Sequence, residues 1–494
     1  MRLPELPPEL VEMIRSEEHL RAESILWLGS CVNGNDPWPV IEAAHKVNPR
    51  LDKYAIFKAL GGTDTPPIAE DATHYDLASH YINSLGKPKP VADENHIWLP
   101  DTSTGLWKSR TLASLQAEIG SNYTGKYCKR LSDYRAVAQL TYDICYDPHY
   151  FEAGPIGLAV DGEFYQVIDQ QINCVPLTTE LRQRFAVNVR PMKGDLTLFM
   201  AFLESTFAHV NRVVQDQQVK LLQEVVGAIL CGIAYKFEIV VLLIGPGGAG
   251  KSTLLRIIEA LIPREYVCAI SPFAWGNEYY RASLAGKRMN LVGELPGDKQ
   301  IPADQFKQVT GRDRVTGRYP HGRPFDFQPT AAHLFNSNHF PNNRDQSSGF
   351  WRRWLCLGFD NPVKEDQREK DLDRSIIQHE LPAIVHWALE GAARVVSQDG
   401  FSRSQRSDQL IDEWRQKSDA VAEFIHDTEA VTIGTTHDTP RTEVYESFKQ
   451  WCRDVQRRPM SKAVFYSRLE GLGFRLKRKH GYDYVEGLRL PNRS

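Results

Sequence analysis

The stretch IVVLLIGPGGAGKSTLL, residues 239–255, joins an apolar run to a glycine-rich loop and then to a second apolar run. The loop matches the pattern G-x-x-x-x-G-K-[ST] in full. Between a strand and a helix, the backbone N–H groups of such a loop can wrap a phosphate, its lysine can reach further phosphate oxygens, and its serine can ligate Mg²⁺. We therefore predict a site for ATP and Mg²⁺. The predicted ATP-binding residues are Gly245, Pro246, Gly247, Gly248, Ala249, Gly250, Lys251, Ser252 and Thr253.

A glycine-rich turn could match this pattern by chance. The preceding run is rich in β-branched and other apolar residues, as a buried strand would be. The following segment STLLRIIEALI has the periodicity of a helix. Because both flanks have the required character, the phosphate-loop interpretation is preferred.

Composition limits the possible classes of protein. A chain of 494 residues predicts two to four domains. With 42% hydrophobic and 24% charged residues it is a globular protein, and its net charge of −3 means that any nucleic-acid contact must come from local basic patches. The eight cysteines include no C-x-x-C pair, which favours reduced thiols over a zinc site or disulfide framework. With no signal core or membrane-length apolar run, we expect a cytoplasmic protein without membrane contact.

The order of patterns along the chain predicts an α/β core flanked by smaller domains. Strand and helix patterns alternate from residue 237 to residue 360, as in an α/β sheet domain. Near the end, a helix at about 441–455, a second helix capped by Ser461 and a strand pair turning at Gly481 have the outline of a winged helix. The predicted boundaries are 1–70 for a helical region of unknown role, 71–195 for an α+β domain, 196–365 for the core, 366–418 for a helical lid or linker, and 419–494 for the winged helix.

Three further segments of the core carry polar groups suited to phosphate chemistry. The strand in RMNLVGELP, residues 288–296, ends at Glu294, which could hold the Mg²⁺ shell or polarise water. A second acid is absent, because Gly293 stands there, and an ordinary strand-end glutamate is the alternative. The strand AAHLF is followed by NSN, residues 336–338, and an asparagine at this position can orient the attacking water. In SGFWRRWLCLGF, residues 348–359, Arg352 and Arg353 could reach a phosphate of a neighbouring subunit or be a surface pair.

Two basic segments are candidate DNA contacts. RVTGRYPHGRPFDFQP, residues 314–329, has the pattern of a hairpin whose tip carries Arg318, His321 and Arg323. The base of the C-terminal strand pair is also basic, and such clusters supply sequence-independent affinity for phosphates. A solvated charged face is the alternative for that second cluster. Its residues are Arg475, Lys477, Arg478 and Lys479.

These segments in this order resemble the superfamily 3 DNA helicases, in particular the phage and plasmid primase-helicase group whose C-terminal half is shared with the poxvirus primase-helicase. The similar runs are GPGGAGKSTLL, NLVGELP, FKQVTGRDRVTGRY, HLFNSNHFP and GFWRRWLCLGF. The resemblance extends upstream to GLW at 105–107 and to a helicase-preceding domain over 71–195. It covers about residues 74–490 and implies an AAA+-like P-loop ATPase core.

The resemblance also implies roles for single residues. Lys251 and Ser252 match the Walker A residues, and Glu294 matches the Walker B acid, so that Ser252 and Glu294 would hold Mg²⁺. Asn338 matches the sensor asparagine, and Arg353 matches the arginine finger. The segment from Lys307 to Arg323 corresponds to the hairpin that tracks DNA in a central pore.

The implied function is that of an ATP-dependent replicative DNA helicase of a phage, prophage or plasmid. It would form a ring, a hexamer, and move 3′ to 5′ on single-stranded or forked DNA beside a separate primase or polymerase. The first 70 residues are too short for the primase domain of longer members, so no primase activity is expected. Two alternatives stay open: an ATP-switched origin-binding initiator that does not unwind, and a protein-remodelling ring ATPase.

Overall fold

The computed structural model forms two compact units. The first contains Met1–Pro155, Asp161–Phe164 and Val175–Ala186, and the second contains Ile156–Val160, Tyr165–Cys174 and Val187–Ser494. The structure describes residues 6–15, 22–32, 37–51, 53, 56–57, 60, 68, 71–86, 88–93, 96–123, 125, 127–296, 299–343, 345–455, 459–479 and 481–491.

The first unit begins with three short helices that share their own small core. The core includes Leu10, Ile14, Leu28 and Ile41, all fully buried. Much of residues 51–60, within the region 1–70 that the sequence predicts to be helical, lies outside the described residues. The helices are α1 (Pro8–Arg15), α2 (Ala22–Ser30) and α3 (Trp38–Val47).

The rest of the first unit is the predicted mixture of helices and strands. Helix α6 packs against both α4 and α5, and strand β2 pairs antiparallel with β1 and β3. A capping box between Thr73 and Asp76 begins α4. The elements are α4 (His74–Ser84), β1 (Val91–Ala92), β2 (Ile97–Asp101), β3 (Leu106–Arg110), α5 (Leu112–Tyr123) and α6 (Leu131–Ile144).

Between residues 155 and 187 the chain passes several times from one unit to the other. A turn at Asp161–Gly162 joins β4 to β5, and both residues have positive φ, +30° and +78°. This stretch contains β4 (Gly157–Val160), β5 (Glu163–Ile168), β6 (Gln171–Pro176) and β7 (Ala186–Val187).

A five-stranded parallel sheet forms the centre of the second unit. Its order is β14-β8-β13-β10-β9, and every neighbouring pair is parallel. All five residues of β8 are buried, as expected for a strand covered on both faces. The strands are β8 (Val240–Ile244), β9 (Val267–Cys268), β10 (Met289–Val292), β13 (Ala332–Ser337) and β14 (Trp354–Gly358).

Helices and one hairpin complete this part of the second unit. The predicted hairpin is present, because Val315 pairs with Phe327 and Arg318 with Pro324 in antiparallel register. Its strands are β11 (Val315–Arg318) and β12 (Pro324–Phe327). The helices are α7 (Thr197–Thr206), α8 (Arg212–Cys231), α9 (Lys251–Ala260), α10 (Glu278–Ala282), α11 (Ala303–Thr310), α12 (Ser348–Trp351), α13 (Leu372–Gln398) and α14 (Gln405–Ser418).

The last part of the second unit has three helices and a three-stranded antiparallel sheet of order β15-β17-β16. Its core contains Phe424, Phe448 and Phe465, all fully buried. Ser461 precedes the third helix as expected, but its side chain makes no capping hydrogen bond. The elements are α15 (Ala420–His426), β15 (Thr432–Pro440), α16 (Arg441–Asp454), α17 (Lys462–Gly471), β16 (Leu476–Lys479) and β17 (Tyr482–Arg489).

Two glycines allow α8 and α13 to cross closely. A Cβ on Gly227 would overlap the carbonyl of Ala388, and a Cβ on Gly391 would overlap the carbonyl of Gln223. The colliding atoms belong to the backbone of the facing helix, which cannot move aside as a side chain can.

None of the helices in the described part of the chain is both long enough and apolar enough to cross a membrane.

We expect Gly227→Ala to lower the midpoint of thermal unfolding. Overpacking of a close contact costs about 1–3 kcal/mol, which exceeds the gain of about 1 kcal/mol from replacing glycine by alanine in a helix. Gly276→Ala is the matched control, because no heavy atom lies within 4 Å of the position of its added Cβ. A Gly227→Ala variant as stable as the wild type would contradict the close crossing.

Candidate functional site

The glycine-rich loop lies between the end of β8 at Ile244 and the start of α9 at Lys251. Gly248 and Gly250 have φ of +79° and +91°, a region that side chains rarely allow. A Cβ on Gly250 would lie 2.9 Å from Phe202 Cε2 of α7. Two of the loop's glycines are therefore required by its shape.

The loop forms a cradle that fits an anion. Among the described residues, no acceptor receives a hydrogen bond from the backbone N–H groups of residues 247–250. The space beside Gly247 is open, with no heavy atom within 4 Å of a built Cβ. Free N–H groups at a helix N-terminus favour a phosphate.

The Lys251 ammonium group lies inside the loop. Its Nζ donates to Gly245 O at 2.5 Å, Pro246 O at 2.8 Å and Asn338 Oδ1 at 2.9 Å. Burial lowers the pKa of Lys251, and the Glu294 carboxylate partly opposes this shift. The lysine is thus held among neutral oxygens with a carboxylate nearby, an arrangement that a phosphate could replace.

Asn338 connects Lys251 to Glu294. Its Nδ2 donates to Glu294 Oε1 at 3.4 Å while its Oδ1 accepts from Lys251. Asn338 directly follows β13 and Glu294 follows β10 by two residues, and these strands pair in parallel. The carboxyl ends of parallel strands meet at one edge of the sheet, so the three side chains converge there.

Two further hydrogen bonds tie the segments that carry Asn338 and Glu294. Leu295 N donates to Asn336 O at 2.8 Å, and Asn336 Nδ2 donates to Gly293 O at 2.7 Å. These bonds join the ends of β10 and β13. They hold the carboxylate and the amide side by side.

The residues at this edge can hold Mg²⁺ only together with a ligand. Ser252 is exposed at the start of α9, and Glu294 is a single carboxylate. Within the described ranges, no group of three or more His, Cys, Asp or Glu side chains could hold a metal ion. Magnesium in phosphate sites is commonly bound by one or two protein oxygens plus phosphate oxygens, which fits this donor set.

The arginine pair lies at the opposite edge of the sheet. Val240 N, at the start of β8, donates to Arg353 O at 2.7 Å. Both arginines bind Glu238, through Arg352 Nη2 at 2.8 Å and Arg353 Nη2 at 3.1 Å. The Arg352 side chain is 63% exposed, whereas that of Arg353 is 8% exposed. Burial lowers the pKa of Arg353, and Glu238 opposes the shift.

The hairpin of β11 and β12 presents part of its predicted basic tip to solvent. Arg318 donates from Nε to Gly322 O at 3.1 Å and lies 3.7 Å from the carboxylate of Glu278. His321 and Arg323 are exposed. Lys307, on α11, forms an ion pair with Asp345 at 2.9 Å, and this contact raises the pKa of the lysine.

The basic cluster near the C-terminus divides into paired and unpaired residues. Lys477 is ion-paired with Glu486 and Lys479 with Asp438. Arg475 and Arg478 are exposed, and neither has an ion-pair partner among the residues that the structure describes. The two arginines are therefore the more available phosphate contacts.

Sequence reasoning missed two residues at the candidate site. Glu238 pairs with both arginines although it precedes Arg352 by 114 positions. Arg368 contacts the glycine-rich loop at Gly248, yet it lies in a charged run, EDQREK, that reads as a solvated segment. Neither pairing has a local signal, because each depends on how distant strands and loops meet.

Comparisons with known proteins give two family matches. Residues 416–490 match the family described as "Poxvirus D5 protein-like", and residues 243–353 match a "Family of unknown function (DUF5906)". No curated protein matches the chain. The C-terminal part of the chain is therefore D5-like.

Among solved structures, the chain is similar to two apo structures of the NrS-1 C-terminal region. The first, the A form, is 11% identical with a TM-score of 0.41 over 80% of this chain and 95% of that one. The second, of residues 305–718 of that protein, is also 11% identical, with a TM-score of 0.41 over 81% and 96%.

Proposed function

We propose that this protein is an ATP-dependent replicative DNA helicase that works as a ring, a hexamer, and moves 3′ to 5′ on one strand. The observation that carries the proposal is the convergence of Lys251, Asn338 and Glu294 at one edge of the sheet. The D5-like match of residues 416–490 favours a role in DNA replication. Single-stranded and forked DNA would be its substrates.

The strand order supports an AAA+-like P-loop ATPase core. Strand β13, which leads to Asn338, lies between the strand of the loop and the strand of the acid. The strand that leads to the acid is thus separated from the strand of the loop by one strand. The order α15-β15-α16-α17-β16-β17 likewise supports a winged helix.

The residues at this edge have complementary roles in the proposed site. The loop N–H groups and Lys251 would bind the phosphates of ATP, and Ser252 and Glu294 would hold Mg²⁺. ATP with Mg²⁺ supplies a phosphoryl group whose charge is already partly neutralised. Asn338 would orient water, since its amide already contacts both Lys251 and Glu294.

The position of the arginine pair favours a site shared between subunits. Arg353 lies beside the start of β8 and the loop lies at its end, so five residues at about 3.3 Å each, roughly 16 Å, separate them. An arginine at that distance does not serve its own loop. It can serve the loop of a neighbouring copy in a head-to-tail ring, as arginine fingers do.

One alternative of another class is compatible with the same family match. The D5-like C-terminal domain could bind an origin while ATP acts only as an assembly switch, without unwinding. The initiator hypothesis and the helicase hypothesis share the ATP site and differ in strand separation. A protein-remodelling ring is less favoured, because such rings favour aromatic-apolar pore loops, whereas the exposed hairpin tip carries His321 and Arg323 beside Tyr319.

We expect the wild type to separate a forked duplex when ATP and Mg²⁺ are present, and Lys251→Ala to lose both ATP hydrolysis and unwinding. The substitution removes the ammonium group that would bind the phosphates. Strand displacement on forks with a single 3′ or 5′ tail, measured beside ATP hydrolysis, tests activity and polarity together. Lys220→Ala, an exposed lysine on α8, is the control and should behave as wild type. ATP hydrolysis on DNA without any strand separation would favour the initiator instead.

Mixing two inactive variants tests the shared site. Lys251→Ala and Arg353→Ala should each lose ATP hydrolysis alone, the second by about 10³-fold or more. In a randomly mixed ring, about a quarter of the interfaces join an intact loop to an intact arginine, so activity should return to roughly that fraction. The same experiment with the exposed Arg352→Ala identifies which arginine acts. If the mixtures stay inactive while both variants remain folded, the site is not shared.

The unpaired arginines near the C-terminus should dominate the salt dependence of DNA binding. We expect Arg475→Ala with Arg478→Ala to weaken duplex binding and to flatten the slope of log K against log salt by about 0.9 for each lost phosphate contact. Lys477→Ala with Glu486→Ala is the matched control, because it removes an ion pair without changing net charge. Fluorescence anisotropy across a salt series gives both values. Equal slopes for wild type and the arginine variant would rule out these phosphate contacts.

A further inference from the structure

Arg368 lies directly on the glycine-rich loop. A Cβ built on Gly248 would overlap Arg368 Nη2 and would lie 3.2 Å from its Cζ. The guanidinium therefore occupies the space that a side chain at Gly248 would fill. A phosphate oxygen that accepts a hydrogen bond from the Gly248 N–H would lie about 3 Å from the Gly248 amide nitrogen. The Arg368 guanidinium and such a phosphate would therefore both lie beside Gly248.

The segment that carries Arg368 follows the loop closely. We call residues 359–368 the strap. Phe359 N donates to Ile244 O at 2.8 Å, and Val363 N donates to Gly248 O at 3.1 Å. Asn361 Nδ2 donates to the carbonyls of Thr206 at 3.1 Å and Ala208 at 2.8 Å. The strap is therefore attached both to the loop and to the end of α7.

Arg368 has no acidic partner in the described part of the chain. Among the described residues its Nε donates to Val363 O alone, at 3.2 Å, and its side chain is exposed. Two arginines nearby differ, since Arg374 pairs with Asp371 at 3.1 Å and Arg256 with Asp373 at 2.5 Å. A guanidinium held only by a neutral carbonyl is free to exchange that bond for a stronger, charge-assisted one to phosphate.

We propose that Arg368 binds the terminal phosphate of ATP from within the same subunit. The inference rests on the proposed ATP site and adds a residue to it. In such loops the backbone amides enclose the inner phosphates, so a cation approaching at Gly248 meets the outermost one. Val363 accepts a hydrogen bond from Arg368 and donates one to Gly248. Loss of the terminal phosphate would therefore let Arg368 return to its hydrogen bond with Val363 in the strap. The strap would then distinguish ATP from ADP.

Affinities for fluorescent ATP and ADP analogues, titrated with Mg²⁺ present, test the proposal in the full chain. We expect Arg368→Ala to weaken ATP binding about tenfold or more, the effect of losing a hydrogen bond to a charged group, with under about threefold change for ADP. Arg368→Lys keeps the charge but not the two-pronged geometry, and should recover part of the loss.

Arg374→Ala is the matched control, because it removes one exposed positive charge that is already paired with Asp371. It should leave both affinities unchanged. Unchanged ATP affinity in Arg368→Ala would overturn the inference, and so would equal losses for ATP and ADP, which would indicate a structural role of the strap.

Failure of the proposed function gives different results. A wild type that binds ATP more tightly than Arg368→Ala but never unwinds DNA would refute the helicase and leave the Arg368 contact standing. A wild type that binds and unwinds, with Arg368→Ala identical to it, would refute only the contact. A wild type that binds no nucleotide would refute both.

Discussion

The parallel hydrogen bonding of β8 to both β13 and β14 is the constraint on which the candidate site depends. Parallel pairing fixes the direction of each strand, so the loop after β8 and the polar segment after β13 emerge at the same edge. The same register puts Arg352 and Arg353 at the other edge, beside the start of β8. One set of backbone hydrogen bonds thus separates the two groups of charged side chains.

At the edge that carries the loop, polar side chains at the strand ends contact one another. Asn336 and Asn338 lie two residues apart but have different roles. Asn336 joins the ends of β10 and β13 through Gly293 O, and Asn338 then reaches both Lys251 and Glu294. Fixing the backbone first lets one amide orient an ammonium group and a carboxylate together, which is the preorganisation that phosphate chemistry requires.

Local features of the chain were predictable. The hairpin at Asp161–Gly162, the hairpin of β11 and β12, and the strand–loop–helix around Gly245 all follow from alternation, turn residues and glycine content. Which charged residues are exposed was not predictable from the sequence. Lys479 is neutralised by Asp438, 41 positions away, and Arg353 is buried beside Glu238. The residues that flank Lys479 and Arg353 in the sequence do not indicate either contact.

The sequence by itself determined the glycine-rich loop between a strand and a helix, the strand ends that carry Glu294 and Asn338, and the basic segments, because the periodicity of apolar residues and positive-φ turns are set by neighbouring residues. Tertiary structure alone decided the strand order, which of two adjacent arginines is exposed, and that Arg368 lies on Gly248. Those outcomes depend on contacts between segments distant in the chain, where burial and charge pairing are decided by packing rather than by local conformation.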